Sequence, residues 1–202
     1  MHTAPKYLPT TERRAATVDA VVALAAHHNP SEITTTAIAS HMGLTQGALF
    51  KHFPSKDAIL ESVIEWVADS LMERVDKAVG AATSPMHALE SLFLAHIQFV
   101  ASHPGVPRIV FAELQRAKPS GPRRVVDVLL RRYSERVSQL LKDAKARGEV
   151  DVSIDTEAAA VLFVGTIQGL VMQSLLHGDM TRILRDAPRV FVIYRRGIQS
   201  TS

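Results

Sequence analysis

Apolar residues recur along this chain at intervals of three and four positions, in segments separated by short stretches rich in Gly, Pro, Asn or Ser. This spacing is typical of amphipathic α-helices, whereas the apolar positions of a half-buried β-strand alternate. The segments Thr11 to His28 and Lys56 to Val79 show the helical spacing clearly. The pattern therefore predicts an all-α protein with about nine helices.

The breaks between segments set the expected helix ends. Asn29-Pro30 ends the first helix, because Asn tolerates a left-handed cap and Pro cannot continue a helix. A short extended stretch is expected over Glu149 to Ile154. Beyond the fourth helix, we expect helices over about 86–102, 106–118, 123–147, 156–177 and 187–199.

Residues 34–60 combine two short helices with a tight turn. The first covers Thr35 to Met42, and Gly43 can take the left-handed conformation that ends it. Thr45 then caps a second helix that is expected to reach Phe53. Two short helices joined in this way form a helix-turn-helix, which places its second helix in the major groove of DNA.

The same segment closely resembles the N-terminal domain of the TetR (tetracycline repressor) family of bacterial transcriptional regulators. The positions that carry the resemblance are Thr34, Ile38-Ala39, Gly43-Leu44, the run Thr45-Gln46-Gly47-Ala48-Leu49-Phe50, Phe53 and Lys56. One position departs from the family pattern, because Phe50 replaces a Tyr whose hydroxyl commonly reaches a DNA phosphate. That hydrogen bond is therefore in question, although the ring can still pack.

The resemblance implies a function and an organisation into two domains. Residues 1–55 are expected to form the helix-turn-helix DNA-binding domain, and residues 56–202 a helical domain that binds an effector and dimerises. A homodimer of this kind represses transcription from a palindromic operator and is released by a small organic molecule. A metal-sensing or activating regulator of the same fold is the alternative.

Position within the motif suggests the DNA contacts. Gln46 lies at the exposed start of the second helix, where its amide can pair bidentately with adenine. Lys56 adds positive charge at a helix N-terminus, where free backbone amides already favour anions. Helix capping is the competing interpretation of the threonines. The predicted contacts are Thr35, Thr36, Thr45, Gln46, Ala48, Phe50, Lys51, His52 and Lys56.

Gly165 and Gly169 lie inside the predicted eighth helix. Each glycine costs about 1 kcal/mol relative to Ala in a helix, so close approach of another helix is expected to offset the cost. In TetR-like proteins the last two helices of each subunit form a four-helix bundle with those of the partner. The predicted interface is Leu162, Gly165, Gly169, Met172, Leu176, Val190, Phe191 and Tyr194. Alternatively, both helices complete the core of one subunit.

The effector site is expected among the middle helices, which enclose the cavity in the TetR family. Between Leu92 and Val100 only His96 and Gln98 are conspicuously polar, which indicates a mainly apolar ligand held by few hydrogen bonds. His96 is the first choice for the polar anchor, and a core histidine with a backbone partner is the alternative. The candidate contacts are Trp66, Phe93, His96, Phe99, Phe111, Gln115, Phe163, Ile167 and Gln168.

Composition narrows the classes of protein to which the chain can belong. The 202 residues contain no cysteine, which leaves no disulfide framework or thiolate metal site and fits a reducing cytoplasm. The net charge of +3 permits nucleic acid binding without requiring it. No uninterrupted run of apolar residues is long enough for a transmembrane helix, and no signal peptide pattern is seen, so no membrane partner is expected.

Neither catalysis nor metal binding is favoured by the motifs. No Ser-His-Asp ordering, glycine-rich phosphate loop or paired carboxylate motif stands out, so we expect no enzyme activity and no cofactor. His96 and His103 share one face of the predicted fifth helix, and His87 begins that helix. No cysteine or carboxylate completes a recognisable ligand spacing with them.

Overall fold

The computed structural model describes residues 9–200, which form nine α-helices. These are α1 (Thr10–His27), α2 (Thr35–His41), α3 (Gln46–Phe50), α4 (Lys56–Gly80), α5 (Pro85–Ser102), α6 (Gly105–Leu114), α7 (Gly121–Ala146), α8 (Thr156–His177) and α9 (Arg182–Ile198). The predicted all-α class is confirmed. The extended stretch after α7 contributes one isolated antiparallel bridge, between Val150 and Gln199.

Two helix boundaries differ from those predicted. Helix α6 ends at Leu114, before the predicted end near Lys118. Helix α9 begins at Arg182 and contains Pro188 in its interior. The predicted start was near residue 187, and proline inside a helix removes one backbone hydrogen bond. The extra first turn persists because it buries the side chain of Ile183.

The chain divides into two compact units, and the division falls within α4 and α7. Unit 1 comprises the chain up to Asp69 together with His103–Val128, and unit 2 comprises Ser70–Ser102 and the chain from Leu129 onward. These units differ from the expected functional division between residues 55 and 56. The beginning of α4, the whole of α6 and the beginning of α7 belong to the same compact unit as the helix-turn-helix. The functional division itself remains a prediction.

Close packing of α1 on α6 organises unit 1. Gly105, the first residue of α6, is buried at this contact. A Cβ atom at this position would overlap the backbone carbonyl oxygen of Val22 and would lie 2.9 Å from the backbone nitrogen of Ala26. Only glycine lets the two backbones approach this closely. The buried side of α1 includes Val18 and Val21.

Aromatic side chains from α5, α8 and α9 form the core of unit 2. The ring of Phe93 lies 5.4 Å from that of Phe163 and 5.2 Å from that of Phe191, measured between centroids. Tyr194 stacks edge-on against Phe163 at 5.4 Å, and its hydroxyl donates a hydrogen bond of 2.9 Å to the carbonyl oxygen of Ala159. These contacts join the three helices to one another.

Helix α8 is apolar on both its buried and its outer side. By length and composition it could span a membrane, although the sequence analysis expected no such segment, and a third of its most apolar stretch is buried. One helix of this kind is weak support for a membrane span, because core helices of soluble proteins have the same composition. Its outer face leaves several large apolar side chains exposed.

Candidate DNA-binding site

The turn between α2 and α3 is built as the sequence predicts. The side-chain oxygen of Thr34 accepts a hydrogen bond of 3.0 Å from the backbone N–H of Ala37, which caps α2. Gly43 follows α2 with φ of +66°, a left-handed conformation that side chains rarely adopt. Thr34 is therefore the capping residue, which leaves the Thr35 hydroxyl available for another contact.

Helix α3 is short and strongly anchored. The side-chain oxygen of Thr45 caps it by accepting a hydrogen bond of 3.2 Å from the backbone N–H of Ala48. Leu49 and Phe53 are fully buried and hold the segment against the rest of unit 1. The helix ends at Phe50, although the sequence analysis extended it to Phe53. The last residues before α4 form turns instead.

Arg14 of α1, which the sequence analysis did not identify, secures the C-terminal end of this segment. Its guanidinium donates hydrogen bonds to the carbonyl oxygen of His52 at 3.1 Å and to the hydroxyl of Ser62 at 2.8 Å. It also lies 4.6 Å from the centre of the Phe53 ring. No sequence motif marks this arginine, because its partners lie far along the chain.

The helix pair exposes a polar surface. Gln46 and Lys51 are exposed, and Phe50, at the usual Tyr position, is 42% exposed. The side-chain amide of Gln46 donates a hydrogen bond of 2.7 Å to the hydroxyl of Thr35. Of the remaining predicted DNA contacts, the exposed residues are Thr36 and Thr45, and the half-buried residues are Thr35, Ala48 and His52. The surface thus offers hydroxyl, amide and ammonium groups side by side.

Lys56 has a more restricted environment than expected. It is half-buried at the start of α4, and its ammonium group donates a hydrogen bond of 3.3 Å to the carbonyl oxygen of Ser31. Burial, followed by repulsion from the Arg116 guanidinium, lowers its pKa below the ordinary value for lysine. Of the two lysines among the predicted DNA contacts, Lys51 is the exposed one.

A small ion network lies near Lys56 in unit 1. Arg116 forms ion pairs with Asp57 of α4 at 3.1 Å and with the buried Glu113 of α6 at 3.4 Å. Glu113 also accepts a hydrogen bond of 3.0 Å from the hydroxyl of Ser120. Ser120 in turn caps α7, because its hydroxyl accepts a hydrogen bond from the backbone N–H of Arg123. The network joins the end of α6 and the start of α7 to the first turn of α4.

The outer face of α8 is apolar and exposed. Leu162, Met172 and Leu176 are 56%, 42% and 78% exposed. Gly165 and Gly169 lie on the same face, and a Cβ atom added to either would meet no other atom within 4 Å. Within residues 9–200, no helix of the same subunit packs against the Cα side of these glycines. The interpretation that they serve packing within one subunit is not supported.

Two of the three residues predicted on α9 for the dimer interface lie on its buried side. Phe191 and Tyr194 are buried in the aromatic core of unit 2 and are not available to a second subunit, while Val190 is half-buried. Periodicity alone did not separate the two sides of α9. Ile193, by contrast, is 72% exposed and lies on the outer side of α9.

The predicted effector residues are divided between the two units. Phe93, Phe99, Phe163 and Ile167 are fully buried in unit 2 and contribute to its core. Three others belong to unit 1, where Trp66 and Phe111 are half-buried and Gln115 is exposed at the end of α6. Gln168 is exposed and lines an open groove of about 680 Å³ between α7 and α8. Several of the predicted aromatic contacts are thus committed to core packing.

His96 has a side-chain partner rather than the backbone partner that was considered. Its Nδ1 atom lies 2.8 Å from the hydroxyl oxygen of Tyr133 on α7, and the two rings meet edge-on. Burial lowers the pKa of His96 to about 4 and raises the pKa of Tyr133 well above its ordinary value. Both groups are therefore uncharged at neutral pH.

The histidines on α5 and directly after it have separate local contacts. His87 accepts a hydrogen bond of 3.3 Å from the backbone N–H of Thr83, and the ring of His103 packs edge-on against Trp66. Within residues 9–200, no group of three or more His, Cys, Asp or Glu side chains is placed to hold a metal ion. These histidines have local structural contacts.

Comparison with known proteins identifies the class. The sequence model described as bacterial regulatory proteins of the tetR family matches residues 18–63, which include the helix-turn-helix. The model described as the tetracyclin repressor-like C-terminal domain matches residues 111–188. The two matches together cover more than half of the chain. The chain belongs to the TetR family of DNA-binding transcriptional regulators.

Individual relatives are distant. The nucleoid occlusion factor SlmA of Vibrio cholerae is 25% identical over 146 residues, covering 72% of this chain and 74% of that protein. SlmA of Alteromonas mediterranea is 26% identical over 165 residues, covering 80% and 85%. Both matches span most of the two proteins and are consistent with a common family.

Two solved structures share the fold. The ketosteroid transcriptional regulator KstR2 of Mycobacterium tuberculosis has a TM-score of 0.78 at 21% identity, covering 93% of this chain and 95% of that one. The transcriptional regulator FadR of Bacillus subtilis, solved with stearoyl-CoA, has a TM-score of 0.80 at 19% identity, covering 92% and 99%. These neighbours are transcriptional regulators rather than enzymes.

Proposed function

We propose that this TetR-family regulator is a repressor that binds a palindromic operator as a homodimer and is released by a small, mainly apolar organic effector. The observation that carries the proposal is the polar surface of α2 and α3, where Gln46, Thr36 and Lys51 are exposed together on a firmly anchored helix pair. A helix-turn-helix presents such side chains to base edges and phosphates.

The DNA part of the proposal has a direct test. The purified protein is incubated with a library of random duplexes, and the retained duplexes are sequenced after several rounds. We expect a palindrome whose half-sites are spaced by one helical turn or a multiple of it, about 34–36 Å per turn. Retention without any enriched sequence would contradict a specific operator and would leave only charge-driven binding.

Dimerisation through α8 is supported by its exposed face. Leu162 and Leu176 leave apolar surface in contact with water, which is unfavourable unless a partner covers it. The open space at Gly165 and Gly169 would let a helix of a second subunit approach closely. A partner helix at this face would offset the low helix propensity of both glycines. Multi-angle light scattering of the full chain measures the expected dimer directly.

The class of effector is inferred from the core of unit 2 and from the structural neighbours. Its aromatic and aliphatic side chains favour an apolar molecule, and the His96–Tyr133 pair provides polar groups that could orient one. The FadR neighbour was solved with stearoyl-CoA, which makes a long-chain acyl thioester the first compound to test. A ketosteroid is the second, because it is named for the KstR2 neighbour.

The effector test measures operator release. A fluorescently labelled operator is bound to the protein, and stearoyl-CoA or a ketosteroid is titrated while anisotropy is followed. Release by one compound and not by matched detergent controls supports the proposal. If His96→Gln shifts the concentration needed for release without changing operator affinity, His96 contacts the effector. Unchanged potency would assign His96 a structural role and move the effector site elsewhere.

A second candidate function follows from the relatives named as nucleoid occlusion factors. Under this candidate, the chain would bind DNA across the nucleoid, as the name of those relatives indicates. Chromatin immunoprecipitation from the native host separates the two candidates, since a repressor occupies few promoters. Reporter transcription from a bound promoter then distinguishes repression from activation. In either case the protein would act on chromosomal DNA in the cytoplasm.

A further inference from the structure

The contact between Gln46 and Thr35 joins the two helices of the DNA-binding surface. The Nε2 atom of Gln46 on α3 lies 2.7 Å from the Oγ1 atom of Thr35 on α2, although the two residues are eleven positions apart. Gln46 is exposed and Thr35 is half-buried. A flexible side chain at the surface is therefore held in one orientation before any DNA is bound.

Helix capping does not account for the Thr35 hydroxyl. The side chain of Thr34 caps α2 through the backbone N–H of Ala37, and the side chain of Thr45 caps α3 through the backbone N–H of Ala48. Both short helices thus have their caps without Thr35. The contact with Gln46 is a separate feature of the surface.

The hydrogen bond changes what Gln46 can offer to a base. A carboxamide carries two N–H donors and one carbonyl acceptor. With one N–H directed at Thr35, one donor and one acceptor remain. Adenine presents N7 as an acceptor and its N6 amino group as a donor in the major groove, which matches that remaining pair. Guanine presents two acceptors, N7 and O6, and would need both N–H groups.

We propose that Thr35 is a specificity-determining positioning residue, which sets the orientation of the Gln46 amide and so favours adenine over guanine at one position of each half-site. Thr35 acts through Gln46 and need not touch that base. This inference rests on the sequence-specific DNA binding proposed above.

The test compares base preference among matched variants. The parent protein first selects its operator from random duplexes, and the base pair whose preference is lost in Gln46→Ala identifies the Gln46 position. Four duplexes that carry each base there are then titrated with the parent, Thr35→Val, Thr35→Ser, Gln46→Ala and Thr35→Val/Gln46→Ala. Val keeps the β-branched shape and removes the hydroxyl, whereas Ser keeps the hydroxyl.

The expected result is a change in preference rather than a general loss. Thr35→Val is expected to lower the ratio of adenine to guanine affinity by about fivefold, as part of the discrimination that a bidentate pair provides. Thr35→Ser is expected to retain the parental ratio. In the Gln46→Ala background, Thr35→Val is expected to leave the ratio unchanged. A purely structural role for Thr35 would lower affinity equally on all four duplexes.

The outcomes separate this inference from the function on which it rests. If the parent enriches no sequence, sequence-specific binding fails and the role of Thr35 fails with it. If the parent enriches an operator but Thr35→Val keeps its ratio of adenine to guanine, only the positioning role is overturned. The role is also overturned if Gln46→Ala alters no base preference.

Discussion

Gly105 and Gly169 are both glycines within helices, but their surroundings are opposite. A Cβ atom at Gly105 would overlap the backbone of α1 at Val22, whereas a Cβ atom at Gly169 would meet nothing within 4 Å. The first glycine is buried in a closed contact of unit 1, and the second lies on the open outer face of α8 in unit 2. The sequence pattern drew attention to Gly169 and gave no sign of Gly105.

The difference shows how glycines in helices are to be interpreted. Gly169 lies in the interior of α8, where glycine costs about 1 kcal/mol of helix stability unless a close contact offsets it, whereas Gly105 begins α6 and is fixed by a contact with the backbone of α1. At Gly105 that contact exists within the subunit, and at Gly169 it would have to come from another molecule. A substitution at Gly105 is therefore expected to destabilise the folded subunit, and a substitution at Gly169 is expected to prevent dimerisation.

The largest effect is expected from Gly169→Leu. A leucine there has room within the subunit and raises helix propensity by roughly 0.8–1 kcal/mol, so the isolated subunit is expected to fold. It would keep a second subunit from approaching α8, and losing two-site engagement is expected to weaken operator binding by about a thousandfold. Light scattering and operator titration measure the two consequences.

Gly80→Leu is the matched control for that variant. Gly80 is exposed at the end of α4, and a Cβ there also meets open space. The control is expected to remain dimeric and to bind the operator as the parent does. If Gly169→Leu remains dimeric and binds the operator with parental affinity, α8 is not part of the dimer interface. Gly169 would then need no contact from a second subunit.

Gly105→Ala is expected to destabilise the folded subunit. Its methyl group would overlap the backbone of α1, which cannot move aside as a flexible side chain can. The free energy of unfolding is expected to fall by about 3 kcal/mol, at the upper end for overpacked sites. Urea unfolding of the parent and variant measures this change. A loss below about 1 kcal/mol would show that α1 and α6 separate easily, as the helices of a loose contact do.

An acid-dependent loss of stability is expected from the buried pair in unit 2. The pKa of His96 is about 4 when folded, against an ordinary value of 6.5, so the unfolded state takes up a proton first as the pH falls. The contribution of neutral His96 to the free energy of unfolding is fully present above about pH 6.5 and is lost progressively towards pH 4. The expected loss is about 2–3 kcal/mol over that range.

Variants isolate the contribution of His96 to this loss. His96→Gln cannot take up the proton and is expected to show a smaller fall in unfolding free energy between pH 6.5 and pH 4. His28→Gln, at an exposed position, is expected to follow the parent. Identical pH profiles for all three proteins would contradict the prediction, because they would mean that water reaches His96 and that its pKa is not lowered in the folded state.

The smallest effects are expected at the DNA-binding surface. Lys51→Ala removes an exposed cation and is expected to weaken binding to all sequences, while lowering the salt dependence of log affinity by roughly one unit of slope. Lys56→Ala is expected to change that slope less, because its ammonium group is bonded to the Ser31 carbonyl. Affinity titrations at several salt concentrations test this order. A larger slope change for Lys56→Ala than for Lys51→Ala would show that Lys56 makes the stronger phosphate contact.

Much of the helix-turn-helix could be predicted from local rules. The caps at Thr34 and Thr45 and the left-handed Gly43 all depend on residues within a few positions of each other. The effector and dimer assignments depended on which side of each helix meets another helix, which no local rule determines. Phe191 and Tyr194 illustrate this, because an apolar residue on an amphipathic helix can face its own core or a partner equally well.

The amino-acid sequence by itself determined the all-helical class, the helix-turn-helix and the membership of the TetR family, because periodicity, caps and turn residues act over short distances. Tertiary structure alone decided the contacts between distant positions: Arg14 holding the end of α3, Gly105 against α1, and His96 paired with Tyr133. The physical reason is that packing joins residues far apart in the chain, and no local pattern records which of them will meet.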